Sequence, residues 1–273
     1  STMKPYGVWA VIAPFNFPAA ILVGMCAGAL ITGNTVIIKP ASDTPIIGYK
    51  IVEIMLEAGI PNGVLNFVPG SGLEIGKTII ESKQVAGIVF TGSREVGYRL
   101  MSESSKTRPR PVIAELGGKN ATIVADTANL DRAAEGVAKA AFSFSGQKCS
   151  ACSRVYVQKK VKTQFLSKLI EKTKKLSVAN PKERESFMGP VINLNAYNNF
   201  KRYSKLASKQ GNILTGGSVK QDGELEHGFY VEPTIVDGIP AHHPLLKKEL
   251  FVPIFCICEY DKFDNAIKMT NES

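Results

Sequence analysis

The sequence predicts an α/β protein: a doubly wound parallel sheet in the first half, then a second α/β unit that carries a cysteine in a turn. Three observations lead there. Short apolar stretches alternate regularly with helical ones through residues 1–117. Those apolar stretches end at prolines, glycines or polar residues, as strands do when they run into a turn. Five strands separated by helices imply right-handed crossovers and a parallel sheet covered on both faces.

The elements follow in order. Residues 6–13 read as a strand ending at Pro14, and 18–33 as a helix closed by Gly33. Ala19 to Ile31 is the longest apolar run; glycines interrupt it and it is too short to span a bilayer, so a buried helix is expected. Thr35–Lys39 is the next strand, stopped by Pro40, and a helix runs on from the turn Ser42-Asp43-Thr44-Pro45 to Gly59. Strand 64–68, helix 73–82, strand 86–91, helix 94–102 and strand 111–116 complete the first half. The second half reads as strand 120–124, helix 130–145, strand Arg154–Gln158, a lysine-faced helix within 159–175 and a loop at 181–190. Helix 196–210, strands near Ile213, at 230–236 and at 252–260, and a helix over Phe263–Thr270 follow. A boundary near Gly117-Gly118 gives expected domains of 1–117 and 118–273.

Composition narrows the classes. Of 273 residues, 44% are hydrophobic and 21% charged, which suits a globular protein with a substantial core. The formal net charge of +9 raises nucleic acid as a partner. Much of the excess falls within Lys159 to Lys175, where Val161, Phe165, Leu166, Leu169 and Ile170 recur at helical spacing, so it reads as the solvated face of an amphipathic helix. Neither nucleic acid nor a membrane is therefore expected as a partner. Five cysteines with no regular framework favour a reducing, cytoplasmic setting. Cys149 and Cys152 form a C-x-x-C, and Cys256 with Cys258 completes four thiols, but C-x-C spacing suits zinc poorly and no metal is expected. His242 and His243 lie in a polar loop, where a surface role is expected.

In doubly wound sheets the ligand sits beyond the carboxyl ends of the strands. The residues there are Pro14-Phe15-Asn16-Phe17-Pro18, Lys39-Pro40-Ala41-Ser42, Gly70-Ser71-Gly72, Gly92-Ser93 and Glu115-Leu116-Gly117-Gly118. Gly70-Ser71-Gly72 with Gly76 departs from the dinucleotide fingerprint, since its last glycine comes one position late. Gly92-Ser93 at a helix start suits a phosphate, and equally an ordinary serine cap. Lys39 either pairs with an acid or contacts a ribose or phosphate. Glu115, read as ending a central strand, is either paired or poised for acid–base work. In Phe142-Ser143-Phe144-Ser145-Gly146-Gln147-Lys148-Cys149-Ser150, a thiol follows a helix that stops at glycine. Cys149 there is either a small buried hydrophobe or a nucleophile.

Assembled, these motifs resemble the aldehyde dehydrogenase superfamily along nearly the whole chain. The match rests on Pro14-Phe15-Asn16-Phe17-Pro18, Lys39-Pro40-Ala41-Ser42, Phe90-Thr91-Gly92-Ser93, Glu115-Leu116-Gly117-Gly118-Lys119, Gly146-Gln147-Lys148-Cys149 and Glu249-Leu250-Phe251. The extended run from Gly146 to Arg154 looks most like 1-pyrroline-5-carboxylate dehydrogenases, which oxidise glutamate semialdehyde to glutamate in proline breakdown. The resemblance implies a Rossmann-like dinucleotide domain followed by a catalytic domain, an aldehyde as substrate and NAD as cofactor. It implies Cys149 as nucleophile, the Asn16 amide and the Cys149 backbone N–H as oxyanion donors, and Glu115 as the base that activates water. Lys39 and Ser42 match positions facing the adenosine ribose, Gly72, Gly76 and Ser93 lie where the dinucleotide passes, and Glu249 with Phe251 matches the grip on the nicotinamide ribose. Ile12, Pro14, Phe15, Phe90, Thr91, Gly92, Val96 and Leu116 match other cofactor-lining positions, and Phe17, Lys148 and Ser150 match substrate-facing ones.

The chain departs from the family's pattern in three ways. Ser42 stands where many NAD-using relatives carry a glutamate, so dual use of NADP is open. Val252 replaces a glycine common after the Glu-x-Phe motif, and a β-branched residue holds φ > 0 poorly, so a different turn is expected. The sequence is also shorter than the family pattern at both ends, lacking the N-terminal region and the C-terminal part; a homo-oligomer or a complementing chain is a conceivable supplier of the rest. Beside the working dehydrogenase stand two other readings: an impaired remnant that binds dinucleotide or acts as an interaction module, and a thiol esterase.

Overall fold

A computed structural model describes residues 4–272. It divides into two compact units, Ser1–Gly117 and Gly118–Ser273, each with its own sheet.

In the first unit, β1 (Val8–Ile12), β2 (Thr35–Lys39), β3 (Leu65–Phe67), β4 (Val85–Thr91) and β5 (Val112–Glu115) form a parallel sheet in the order β3-β2-β1-β4-β5. Helices α1 (Ala20–Ile31), α2 (Pro45–Glu57), α3 (Gly72–Glu81) and α4 (Arg94–Thr107) make the crossovers. Val11, Leu22, Cys26, Val36, Ile38 and Val52 pack in one cluster, and Ala10, Ile79, Val85 and Ile88 in another. Neighbours along β1 alternate between the two, as side chains of a strand must. Two expectations change here. Helix α1 buries only the stripe Leu22, Cys26 and Ala29, while Ile31 is 86% exposed, so it is half-buried; its outer face is made tolerable by small residues such as Ala20, Gly24 and Gly28. Strand β5 lies at the sheet edge, paired with β4 alone, so Glu115 ends an edge strand and is exposed.

The second unit contains β6 (Ala121–Val124), α5 (Leu130–Phe142), β7 (Arg154–Gln158), α6 (Lys162–Lys174), α7 (Leu194–Gln210), β8 (Asn212–Thr215), β9 (Thr234–Asp237), the short α8 (Pro244–Lys247), β10 (Ile254–Tyr260) and α9 (Phe263–Thr270). The sheet order is β6-β7-β10-β9-β8, parallel except for the β8–β9 pair. Phe142, Val155, Phe165, Leu169, Met188, Ile235 and Phe255 centre one core cluster; Phe200, Val231, Val236, Leu245 and Cys256 centre the other. The lysine-faced helix α6 buries Phe165, Leu169 and Thr173 and points its cations outward, with Lys168 on Asp131 and Lys175 on Glu171.

Three further expectations change. The helix read over 130–145 ends at Phe142, and a tight turn over Ser143–Gly146 follows with Phe144 and Ser145 at φ 56° and 55°. Of the strand read at 230–236 only Thr234–Asp237 forms, because Pro233 has no N–H to give; Val231 makes an isolated bridge to Val219. His243 is buried, not a surface residue. Its Nδ1 accepts from the Leu245 N–H, which caps α8, and its Nε2 meets the Gln210 side chain. Burial lowers its pKa.

No helix among the described residues is long and apolar enough to cross a membrane.

Candidate active site

In the first unit, register gathers the candidate residues. Ile12 at the end of β1 pairs with Lys39 on one side and Phe90 on the other, and Thr91 pairs with Glu115. The carboxyl ends of β2, β1, β4 and β5 are therefore level. The ladder extends one step past the strands through Ala13 N–H to Lys39 O and Gly92 N–H to Glu115 O, both 3.1 Å.

Beyond that line lie the loops. Pro14 and Phe15 are half-buried, Phe17 is exposed with φ 48°, and Asn16 between them is 4% exposed. Lys39 is buried; its ammonium donates to the Pro40 carbonyl at 2.8 Å, and desolvation lowers its pKa against an opposing pull from Asp43. Ser42 is exposed, its hydroxyl 3.4 Å from Gly70 O. Ser71 caps α3, and open space surrounds Gly72 and Gly76. Ser93 caps α4 by accepting from the Val96 N–H at 3.4 Å, while Val96 itself is 47% exposed. The cap and the phosphate-facing reading coexist, since one cap leaves other N–H groups of the first turn open. Gly92 gives room to the Phe90 ring, Leu116 packs on Gly97 of α4, and the Thr91 hydroxyl meets Met25 Sδ at 3.3 Å. This rim of exposed hydroxyls, helix N-termini and unobstructed glycines fits an extended, phosphate-bearing cofactor.

In the second unit the sequence from Ser143 shapes the turn that leads to Cys149. Phe144, Ser145 and Gly146 all have φ near +55° to +67°. For phenylalanine and serine that conformation costs about 1 kcal/mol or more each, so tertiary bonds must hold it. Ser145 Oγ donates to Gly189 O at 2.8 Å, the Gln147 amide donates to Phe144 O at 3.3 Å, and Gln147 Oε1 accepts from the Ile192 N–H at 2.9 Å. Gly146 lies so close to the 252–253 backbone that a Cβ there would stand 2.8 Å from Val252 O. The turn Lys148-Cys149-Ser150-Ala151 then closes with Ala151 N–H to Lys148 O at 3.1 Å, and Cys149 and Ser150 are exposed. Lys148 donates to Ser143 Oγ at 2.6 Å, and desolvation lowers its pKa.

Burial separates Cys149 from the other thiols. It pushes Cys26 and Cys256 up to about 12 and Cys258 to about 11, and raises Cys152 as well. Cys149 is the exposed one of the five. Cys152 Sγ faces Thr122 Oγ1 at 3.2 Å inside the core. Among the described residues no three His, Cys, Asp or Glu side chains converge on a metal position.

The Glu249 loop packs beside this turn. Glu249 Oε1 accepts from the Gly118 N–H at 3.3 Å. The positive φ of the loop falls on Phe251, at 55°, and not on Val252, which is buried; the β-branched residue therefore sits where its backbone is unstrained. Two residues without an assigned role emerge next to Gly118. Asn120 holds the Cys149 turn, and Lys119 Nζ is buried without a hydrogen-bond partner among the described residues. Desolvation lowers Lys119 to about 8, opposed by Cys256, Glu249 and Cys152 and reinforced by Arg154. Their partners lie up to 137 positions away in the chain, beyond the reach of local pattern.

Two outcomes are expected. Gly146→Ala adds both a strained φ and a backbone clash, and lowers unfolding stability by about 2–4 kcal/mol in a denaturant titration. Lys119, depressed in the folded chain, leaves the folded state with fewer protons than the unfolded state between about pH 8 and its ordinary 10.5, so wild-type stability rises with pH across that window. Lys119→Met removes this rise and stabilises the chain near pH 7 by about 3 kcal/mol, measured as paired unfolding curves from pH 7 to 10.

Comparison with known proteins places this geometry in a family. The sequence matches the Aldehyde dehydrogenase family over residues 1–273. It is 43% identical to the 1-pyrroline-5-carboxylate dehydrogenase of Geobacillus kaustophilus (strain HTA426), across 98% of this chain and 52% of that protein. Among solved structures it is similar to the Thermus 1-pyrroline-5-carboxylate dehydrogenase with bound NAD, at TM-score 0.92 and 37% identity over 98% of this chain and 52% of that one. It is similar too to the Staphylococcus aureus betaine aldehyde dehydrogenase in complex with NAD+, at TM-score 0.94 and 31% identity over 98% and 53%. The chain spans about half the length of the curated relatives it matches. With its parallel first sheet, its exposed thiol just beyond a left-handed turn and this family match over residues 1–273, the chain belongs to the aldehyde dehydrogenase family.

Proposed function

We propose that the chain provides the dinucleotide-binding and nucleophile-bearing domains of an NAD-dependent aldehyde dehydrogenase acting on glutamate semialdehyde, the open form of 1-pyrroline-5-carboxylate. The observation that carries the reading is the exposure of Cys149 alone among five cysteines, in a turn where the Cys149 and Ser150 N–H groups donate to no acceptor among the described residues. The likeness to 1-pyrroline-5-carboxylate dehydrogenases at 41–43% identity supports the substrate.

The Cys149 thiolate adds to the aldehyde carbon, and the resulting oxyanion accepts hydrogen bonds from the Cys149 N–H and the Asn16 amide. Asn16 suits this role because a buried amide is held in place before charge develops. NAD, when bound, accepts the hydride that turns the thiohemiacetal into a thioester. Lys39 and Ser42 would face its adenosine ribose, Gly72, Gly76 and Ser93 would lie along the dinucleotide, and Glu249 with Phe251 would grip the nicotinamide ribose. Glu115, an exposed carboxylate at the end of β5, takes a proton from the water that hydrolyses the thioester, and the acid leaves as the thiol is restored. Lys148, Ser150 and Phe17 border the substrate. The exposed hydroxyl of Ser42, in place of a carboxylate, leaves room for a 2′-phosphate, so NADP serves as a second cofactor.

Cys149→Ala abolishes NADH formation from glutamate semialdehyde. Glu115→Gln retains a burst of about one NADH per site in stopped flow and slows steady turnover by about 10²-fold or more, the usual worth of a general base; loss of the burst as well removes Glu115 from the deacylation step. Ester cleavage at wild-type rate without NAD, in place of any NADH formation, favours the esterase reading. Ser42→Glu lowers kcat/KM for NADP at least tenfold while sparing NAD, read from initial rates with each cofactor.

A further inference from the structure

We propose that Asn120 is a positioning residue for the Cys149 thiol, a role that rests on Cys149 being the nucleophile. Its side-chain amide donates to Cys149 O at 2.6 Å and to Ala151 O at 3.1 Å. Its own carbonyl accepts from the Ser153 and Arg154 N–H groups at 3.1 Å each and from Ser153 Oγ at 3.2 Å. One residue thus grips the nucleophile turn at its second and fourth positions and anchors the entrance to β7 immediately after it.

The consequence lies in the peptide that follows Cys149. Its carbonyl, tied to Asn120, is turned toward the 118–120 segment; Gly118 is confined against both groups, since a Cβ there would stand 3.2 Å from Asn120 Oδ1 and 3.3 Å from Cys149 O. The N–H groups of Cys149 and Ser150 donate to no acceptor among the described residues. Two successive open N–H groups form a concave, partly positive surface that favours an anion. The thiolate is the first anion it meets. Without the Asn120 amide the carbonyl is released, the peptide can rotate, and a partial negative charge replaces the partial positive one near sulfur. The same segment carries Gly118 N–H to Glu249 Oε1, so the residues that hold the nucleophile turn are contiguous with one that holds the Glu249 loop.

The test reads the thiol directly. Wild type, Asn120→Ala, Asn120→Asp and Asn120→Ser are alkylated with iodoacetamide from pH 6 to 9.5, and modification of the Cys149 peptide is followed by mass spectrometry. Alanine is expected to slow alkylation at pH 7.5 about tenfold, the cost of about one lost hydrogen bond, and to move the pH midpoint upward. Aspartate, which places a carboxylate against Cys149 O, slows it further, and serine, which keeps one donor, recovers part of the rate. A merely structural role lowers the melting temperature and leaves the rate and midpoint of Cys149 at their wild-type values in whichever variants fold; that result overturns the proposal. The readout needs no aldehyde. If alkylation of Cys149 leaves aldehyde oxidation intact, the nucleophile reading falls, and the alkylation series judges Asn120 separately.

Discussion

The second unit depends on a backbone that would rather not be where it is. Three successive residues, Phe144, Ser145 and Gly146, sit in the left-handed region, and two of them have side chains that disfavour it. The turn persists because Gly189 O and the Ile192 N–H are presented to Ser145 and Gln147, and because Gly146 alone can lie against Val252 and Pro253. Those contacts end helix α5 at Phe142 and throw the chain outward, so that the thiol three residues later stands in solvent while its four counterparts are buried or partly so. Strain at one place is thus exchanged for exposure at another.

The first unit reaches the same end by an opposite route. Its sheet is regular, its register is level across four strands, and its candidate groups are placed by the ordinary geometry of parallel pairing. Pairing sets the height of Lys39, Phe90 and Glu115, and helix starts at Gly72 and Arg94 supply open N–H groups beside them. A ligand with a long, phosphate-bearing body suits such a rim because level strand ends and helix starts present its groups along one line.

Legibility followed this division. The elements of the first unit could be read from alternating apolar runs and glycine or proline stops, because local preference and tertiary environment agree there. The break after Phe142 could not, since Phe-Ser is no left-handed signal and its cause lies some 45 residues downstream. The over-long strand at 230–236 reflects apolar residues whose ladder bonds, between 230–232 and 218–220, form a separate bridge that Pro233 divides from β9. His243 looked solvated by its neighbours yet serves as a buried cap. Glu115 reads as the end of a central strand because sequence order does not state which strand closes a sheet. The motif residues Cys149, Asn16 and Glu115 stood out through resemblance, whereas Asn120 and Lys119, in the same motif region, acquire meaning only from carbonyls and thiols that folding brings to them.

Strand order in the second sheet also says something about time. The strand in the middle, β10, leaves the ribosome after the other four strands of its sheet, and its neighbours β7 and β9 have no partner between them until residues 254–260 arrive. The five described strands of the first sheet are all made by residue 115, each joined to the next in sequence by one helix. The second must wait for a contact about a hundred residues distant, and non-local pairing of this kind is slow and leaves strand edges open meanwhile. Val252 and Pro253, which lock Gly146, immediately precede that same strand. The turn that leads to Cys149 therefore takes shape only after residues 252–260 have been made, and the exposed thiol acquires its setting together with the middle of the sheet.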